Sequence, residues 1–239
     1  MSAGARQEPA YVIHRRPYRE TSLLVDVFAL NHGRISLVAR GATSPKSPLK
    51  AQLQPFQPLL LDWSGRSDLK TLTQAENRRG PLVAGGHALY SGFYLNELLQ
   101  LLLPAGDPHP ELFAAYIQAL ESLAEEQDIE PVLRRFEGVL CDSLGYGFRW
   151  GQTDQGAGVQ SQQRYCYDPQ QGIVAVPTGQ SIVGLSGEAL LALDAGDLES
   201  AEARRTAKRV MRTLIDFLLQ GRPLKSRDLF RNQGRKRDE

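Results

Sequence analysis

The stretch Arg40-Gly-Ala-Thr-Ser-Pro-Lys46-Ser-Pro-Leu-Lys50 sets three cations among glycine, proline and small hydroxyl residues. A loop of that composition can follow a phosphate backbone, the cations neutralising charge while the small residues let the main chain approach. Arg15, Arg16, Arg19 and Arg34 lie upstream, near the ends of short apolar runs, and Tyr18 offers a ring on which a base can stack. A second basic set recurs at helical spacing. Over about residues 199–219, Arg204, Arg205, Lys208, Arg209 and Arg212 share one side, while Ala203, Ala207, Val210, Met211, Leu214, Phe217 and Leu218 share another. The candidate nucleic-acid contacts are therefore Arg15, Arg16, Arg19, Arg34, Arg40, Lys46, Lys50, Arg204, Lys208 and Arg212. The alternative for both sets is a solvated charged surface, with Glu202 able to pair with Arg205 at i+3.

The charge balance along the chain favours an anion-binding surface. The total is +1, but residues 1–80 hold twelve Lys and Arg against six Asp and Glu, a net of +6. Residues 81–160 hold three against eleven, a net of −8, and residues 161–239 hold thirteen against ten, a net of +3. Asymmetry of this kind speaks to partners rather than to fold. Catalytic signals are weak: His14, His32, His87 and His109 lack metal-ligand spacing, and Glu20, Asp26, Asp62, Asp68 and Glu76 lack the clustering a metal-dependent nuclease needs. Cys141 and Cys166 are too few for a disulfide framework or a structural zinc site and read as small packing residues, so no cofactor is expected. The longest apolar run, Leu98 to Leu103 interrupted by Gln100, is far short of the roughly 20 residues that span a bilayer. With no secretory stretch at Met1–Pro9, a cytoplasmic location is expected.

At 41% apolar and 23% charged residues, the 239-residue chain can bury a sizeable core. Five β-rich runs, Tyr11–His14, Ser22–Leu30, Arg34–Arg40, Leu53–Asp62 and Leu69–Glu76, predict an N-terminal barrel over residues 1–80. Asn31-His32-Gly33 is a hairpin signal between the second and third runs. The longer gap Gly41–Ala51 falls where a five-stranded oligonucleotide/oligosaccharide-binding barrel places its irregular connection. The pattern then turns helical over residues 81–239. Helices are predicted from Gly86 to Pro104, after Pro110, from Pro131 to the stop at Gly145-Tyr146-Gly147, from a Ser186 cap, and over about 199–219; Ser226 is a further cap. Gly85-Gly86 reads as a hinge. An insertion at about 151–180 is expected, flexible over its Gly-, Gln- and Ser-rich residues 151–163, with a hairpin over Tyr165–Val176. The fold class is α+β.

Several segments together resemble the RecO family of bacterial DNA-repair and recombination-mediator proteins. They are Arg16-Pro-Tyr-Arg-Glu-Thr-Ser22, Gly33-Arg-Ile-Ser-Leu-Val-Ala-Arg-Gly-Ala42, Leu53-Gln-Pro-Phe-Gln-Pro58, Tyr90-Ser-Gly-Phe-Tyr-Leu-Asn-Glu-Leu-Leu99, Leu133-Arg-Arg-Phe-Glu137, Leu144-Gly-Tyr-Gly147 and Pro223-Leu-Lys-Ser-Arg-Asp-Leu-Phe230. The resemblance implies an oligonucleotide-binding barrel followed by a helical domain, binding of single- and double-stranded DNA, and annealing of complementary strands. It also implies partnership with RecR in loading RecA onto strands coated by single-stranded-DNA-binding protein, a possible link to RecF, and a nucleoid-associated location. Some members carry a four-cysteine zinc module after the third helix; here that stretch offers only Cys166, so the insertion is expected to be zinc-less.

The family also implies a receptor for the acidic, Phe-ended tail of single-stranded-DNA-binding protein. Such a tail needs an apolar pocket rimmed by cations, since buried unpaired carboxylates are costly. Arg134, Arg135 and Arg149 are the only cations in residues 81–160. Arg134 or Arg135 beside Tyr94, Leu98 and Leu101 is the expected pocket, the alternative being a pair within the chain to Glu137, Asp142 or the acidic second helix. A protein-only adaptor with incidental basic charge is the rival reading of the whole.

Overall fold

The computed structural model describes residues 4–83, 85–125, 127–176 and 184–229. Its first strand, β1 (Gly4–Tyr18), is long enough to serve two neighbours. The Ala10–Tyr18 part pairs with β2 (Ser22–Ala29), and the Gly4–Ala10 part pairs with β4 (Leu59–Ser64), both antiparallel. The register shifts between Ala5 and Glu8 and between Val12 and His14. Bulges bend and twist a strand, which is what closing a small sheet on itself demands. β3 (Gly33–Ala39) pairs antiparallel with β2 and parallel with β5 (Leu69–Asn77), and the order β1-β2-β3-β5-β4 closes the barrel. β3 alternates strictly, Ile35, Leu37 and Ala39 being buried while Arg34, Ser36 and Val38 are half-exposed. The barrel core joins these residues to Val12, Val25, Val27, Leu53, Leu61 and Trp63.

One expected boundary shifts for a backbone reason. β4 starts at Leu59 rather than Leu53, because Pro55 and Pro58 cannot donate to a ladder. The residues before them form a short helix, α1 (Leu49–Gln52), in the connection after β3.

α2 (Gly86–Leu102) and α3 (Pro110–Ala124) pack on each other, and α2 packs on β1. Gly92 makes close approach possible, since a Cβ there would stand 2.8 Å from the Phe56 ring. Tyr11 and Phe28 of the barrel meet Phe113 and Tyr116 of α3 at centroid distances of 5.3–6.1 Å. The Tyr116 hydroxyl, the more deeply buried of the two in this aromatic cluster, donates to Asn96 Oδ1 at 2.6 Å and is satisfied. These elements and the described residues from Pro223 onward form one compact unit; residues 130–222 form the other.

The second unit holds α4 (Ile129–Ser143), the sheet β7-β6-β8 (β6 Arg164–Asp168, β7 Gly172–Ala175, β8 Leu185–Ser186), α5 (Gly187–Asp194) and α6 (Ala201–Leu219). Ser186 and Ser200 cap α5 and α6 by accepting from Ala189 N–H and Ala203 N–H. Residues 151–163, expected from composition as a flexible run, carry backbone pairing and a buried side chain. Thr153 and Val159 donate main-chain N–H to Ala157 and Gly151, and Asp154 donates to Ile173. Val159 is buried with Tyr165, Ile173 and Leu190, and the Tyr165 hydroxyl accepts from Gln160 N–H. A single well-placed apolar side chain with backbone pairing orders a segment that mean polarity marks as a linker. The rest of the expected insertion, residues 177–180, lies outside the described residues.

Candidate nucleic-acid interface

One mouth of the barrel gathers most of the cations predicted from the first domain. β1 ends in a tight turn to β2, with Arg19 in the left-handed region at φ 53° and its guanidinium 5.2 Å from the Tyr18 ring centre. Ala39 at the end of β3 pairs with Leu23, and Thr43 N–H donates to Thr21 O at 3.0 Å, so Arg40 and the loop after it lie against that turn. The chain reverses at Gly41, φ +66°, then runs through Ser44 and Ser47 turns into α1. Arg15 fastens this loop to β1: its guanidinium donates to Lys50 O and Leu53 O at 3.2 Å and to Gln54 Oε1 at 2.7 Å. Burial lowers the Arg15 pKa, but the side chain stays a full cation.

The mouth thus holds Arg15, Arg16, Arg19, Arg40, Lys46 and Lys50. Arg16, Arg19, Arg40, Lys46 and Lys50 are exposed, and none makes an ion pair with a described residue. Glu20 is the acid in the β1–β2 turn. Exposed cations on a loop of small residues, next to a half-buried tyrosine, can meet successive phosphates and one base face.

Arg34 is not in this mouth. It begins β3 opposite Phe28, at the far end, where its Nε donates to Leu103 O at 2.9 Å and its own carbonyl accepts from Gly106 N–H at 3.0 Å. It ties the β2–β3 hairpin to the connection after α2, away from the other cations expected as nucleic-acid contacts. Glu8, 5% exposed, organises the same hairpin by accepting from Asn31 N–H at 2.6 Å and Asn31 Nδ2 at 3.1 Å. His32 Nδ1 lies 3.4 Å from Glu8 Oε1 without hydrogen-bond geometry.

On α6 the expected contacts are largely occupied. Arg204 Nε donates to Leu198 O at 2.5 Å and Nη2 lies 4.0 Å from Glu199, Lys208 pairs with Glu130 at 3.1 Å, and Arg212 pairs with Asp216 at 3.8 Å. Exposed pairs of this kind are worth about 1 kcal/mol or less, so they lower the available charge without removing it.

The residues of the expected tail pocket come from both compact units. Leu98 has no exposed surface and Tyr94 is 8% exposed, because both lie on the buried face of α2. Arg134 and Arg135 belong to the other compact unit, where Arg134 pairs at 2.9 Å with the fully buried Glu137 and Arg135 is exposed. This is the pairing within the chain that the i+3 spacing allows, a buried carboxylate held by a guanidinium. Leu101 alone of the five borders an open groove, of about 540 Å³, with Ile13, Phe93, Leu229, His14 and Lys225. Sequence reasoning missed this groove. Its far wall is fixed by Glu97, whose carboxylate accepts from Lys225 N–H at 2.8 Å, Ser226 N–H at 2.9 Å and the Ser226 hydroxyl at 2.5 Å. Ser226 is therefore a donor to α2, and Glu97 takes the capping role expected of it.

Cys141 packs with Met211 and Leu214, and burial, with Glu137 and Asp142 adding to it, pushes its thiol up to about 12. A thiol held protonated is packing, not a nucleophile. No helix among the described residues is long and apolar enough to cross a membrane.

A closed five-stranded barrel followed by a helical region, with cations left in solvent at one mouth, defines an oligonucleotide/oligosaccharide-binding fold joined to a helical domain. The family model described as Recombination protein O N terminal matches residues 1–80, and that described as Recombination protein O C terminal matches residues 85–228. The DNA repair protein RecO of Marinobacter nauticus is 61% identical over 239 residues, 96% of each chain. Those of Methylococcus capsulatus and Aromatoleum aromaticum are 45% and 44% identical, over 93% and 92% of this chain and 92% and 93% of theirs. The chain belongs to the RecO family.

Proposed function

We propose that this chain is a non-enzymatic DNA-repair protein that binds single- and double-stranded DNA and anneals complementary strands. The observation that carries the reading is the set of five exposed cations, Arg16, Arg19, Arg40, Lys46 and Lys50, around one barrel mouth. Cations there neutralise phosphates and screen the repulsion between two strands, so that bases can pair. Most such contacts go to phosphate, so binding is largely independent of sequence. Family membership further supports partnership with RecR in loading RecA onto coated single strands.

The acidic tail of single-stranded-DNA-binding protein is proposed to dock in the groove between α2 and the 223–229 stretch. Phe93, Leu101 and Leu229 offer apolar surface to its terminal ring, and Lys225 and His14 offer positive or ionisable groups to its carboxylates. Glu97, the acid in that lining, is already engaged by three donors.

Annealing of complementary strands coated with single-stranded-DNA-binding protein, with and without its tail, tests both parts. Annealing is expected with the intact coat and to fall sharply with the tailless one. Normal annealing by the Arg40→Glu/Lys46→Glu/Lys50→Glu variant would reject the barrel mouth, and unchanged tail-peptide affinity in Lys225→Glu would reject the groove.

A further inference from the structure

A groove read as the seat of an acidic tail carries a carboxylate, Glu97, in its own lining. The two walls differ in origin. Phe93, Glu97 and Leu101 follow one another at i,i+4 along α2, whereas Lys225, Ser226 and Leu229 belong to a short stretch that comes 128 residues after Glu97. Leu224 is 5% exposed and anchors that stretch, but apolar burial has no direction and does not by itself orient the residues that follow. The Glu97 carboxylate supplies the direction. Its Oε1 accepts from Lys225 N–H at 2.8 Å, and its Oε2 accepts from Ser226 N–H at 2.9 Å and from the Ser226 hydroxyl at 2.5 Å. Both oxygens are thus engaged by donors of the opposite wall.

We infer that Glu97 is a positioning residue for the acidic tail: by clasping Lys225 and Ser226 it sets Lys225 and Leu229 at the groove before a ligand arrives. This role rests on the groove reading above, and Glu97 acts through Lys225 and Leu229 rather than by touching the tail. Two effects follow from the same three bonds. Bonds to a carboxylate are charge-assisted, so they hold a short segment firmly, and a wall ordered in advance spares the ligand the cost of ordering it. The donors also take up the Glu97 charge, which would otherwise repel the carboxylates of the tail. An acid in an acid-binding groove is then part of its construction.

The test is a coupling measurement on the full chain with a fluorescein-labelled acidic peptide ending in phenylalanine. Lys225→Ala keeps the main-chain bond to Glu97 and removes only the ammonium, and is expected to weaken the peptide about fivefold. Glu97→Ala is expected to weaken it about tenfold, although it deletes a negative charge that simple electrostatics would count as favourable to remove. With the clasp gone, Lys225→Ala should add less than about twofold to the Glu97→Ala loss, because an unheld lysine has little left to lose. Losses that multiply in full, or peptide affinity unchanged or improved by Glu97→Ala, overturn the positioning role. Ser226→Ala is the milder variant should Glu97→Ala fail to fold: it removes one donor, is expected to weaken the peptide about threefold, and unchanged affinity there overturns the role equally. Single-stranded DNA binding that stays within about twofold in each variant shows that the barrel is intact. Failure of the groove reading is seen separately, as unchanged peptide affinity in both Lys225→Ala and Phe93→Ala, whereas a loss in those two with none in Glu97→Ala rejects the positioning role alone.

Discussion

Both ends of the barrel carry arginine, and the two sets behave differently. At the β2–β3 end, Arg34 reaches the carbonyl of Leu103, and the buried Glu8 gathers the Asn31 donors beside His32. At the other end only Arg15 is fastened, and it is fastened to hold a loop on which Arg40, Lys46 and Lys50 stand in solvent. Residue type alone does not separate a structural from a binding arginine. What separates them is whether main-chain carbonyls or buried carboxylates of the same chain take up the donors.

The sharpest way to break the comparison is at Glu8. Glu8→Ala removes the buried carboxylate that two Asn31 donors share, and is expected to cost about 2 kcal/mol in urea unfolding. Arg34→Ala should cost less, about 1.5 kcal/mol, through the lost charge-assisted bond to Leu103 O, with DNA affinity near that of the unmodified chain. Smallest of all is the stability effect expected at the opposite mouth. Arg40→Glu, Lys46→Glu and Lys50→Glu should each change unfolding free energy by no more than about 0.5 kcal/mol, since no described partner is lost. A destabilisation by Lys46→Glu larger than that of Arg34→Ala would erase the distinction between the two ends.

Much of the barrel was legible because its turn formers and prolines punctuate short apolar runs. Asn31-His32-Gly33 marked the β2–β3 hairpin, and the 41–51 gap marked the cationic loop. The gathering of Arg15, Arg16, Arg19, Arg40, Lys46 and Lys50 followed from strand ends that any small barrel brings together. The tie from Arg34 to Leu103 O was not legible, because that acceptor is a main-chain group 69 residues away that no side-chain pattern announces. Glu97 escaped notice for the same reason, its donors at Lys225 and Ser226 being 128 and 129 residues distant. The Arg134–Glu137 pair, by contrast, sits at i+3 and was visible as an alternative; what sequence could not supply was the complete burial of Glu137 that decides it. In residues 151–163 average composition pointed to a linker, and one buried valine with three backbone bonds ordered it.

The most direct test of the basic mouth is the salt dependence of single-stranded DNA binding by the unmodified chain and by Arg40→Glu/Lys46→Glu/Lys50→Glu, followed by fluorescence anisotropy. Affinity should fall steeply with salt for the unmodified chain, and the variant's log–log slope should be less steep by about 2, as three lost phosphate contacts require. Equal slopes and equal affinities for the two proteins, or binding that ignores salt, would contradict the claim that this end of the barrel holds the phosphate backbone.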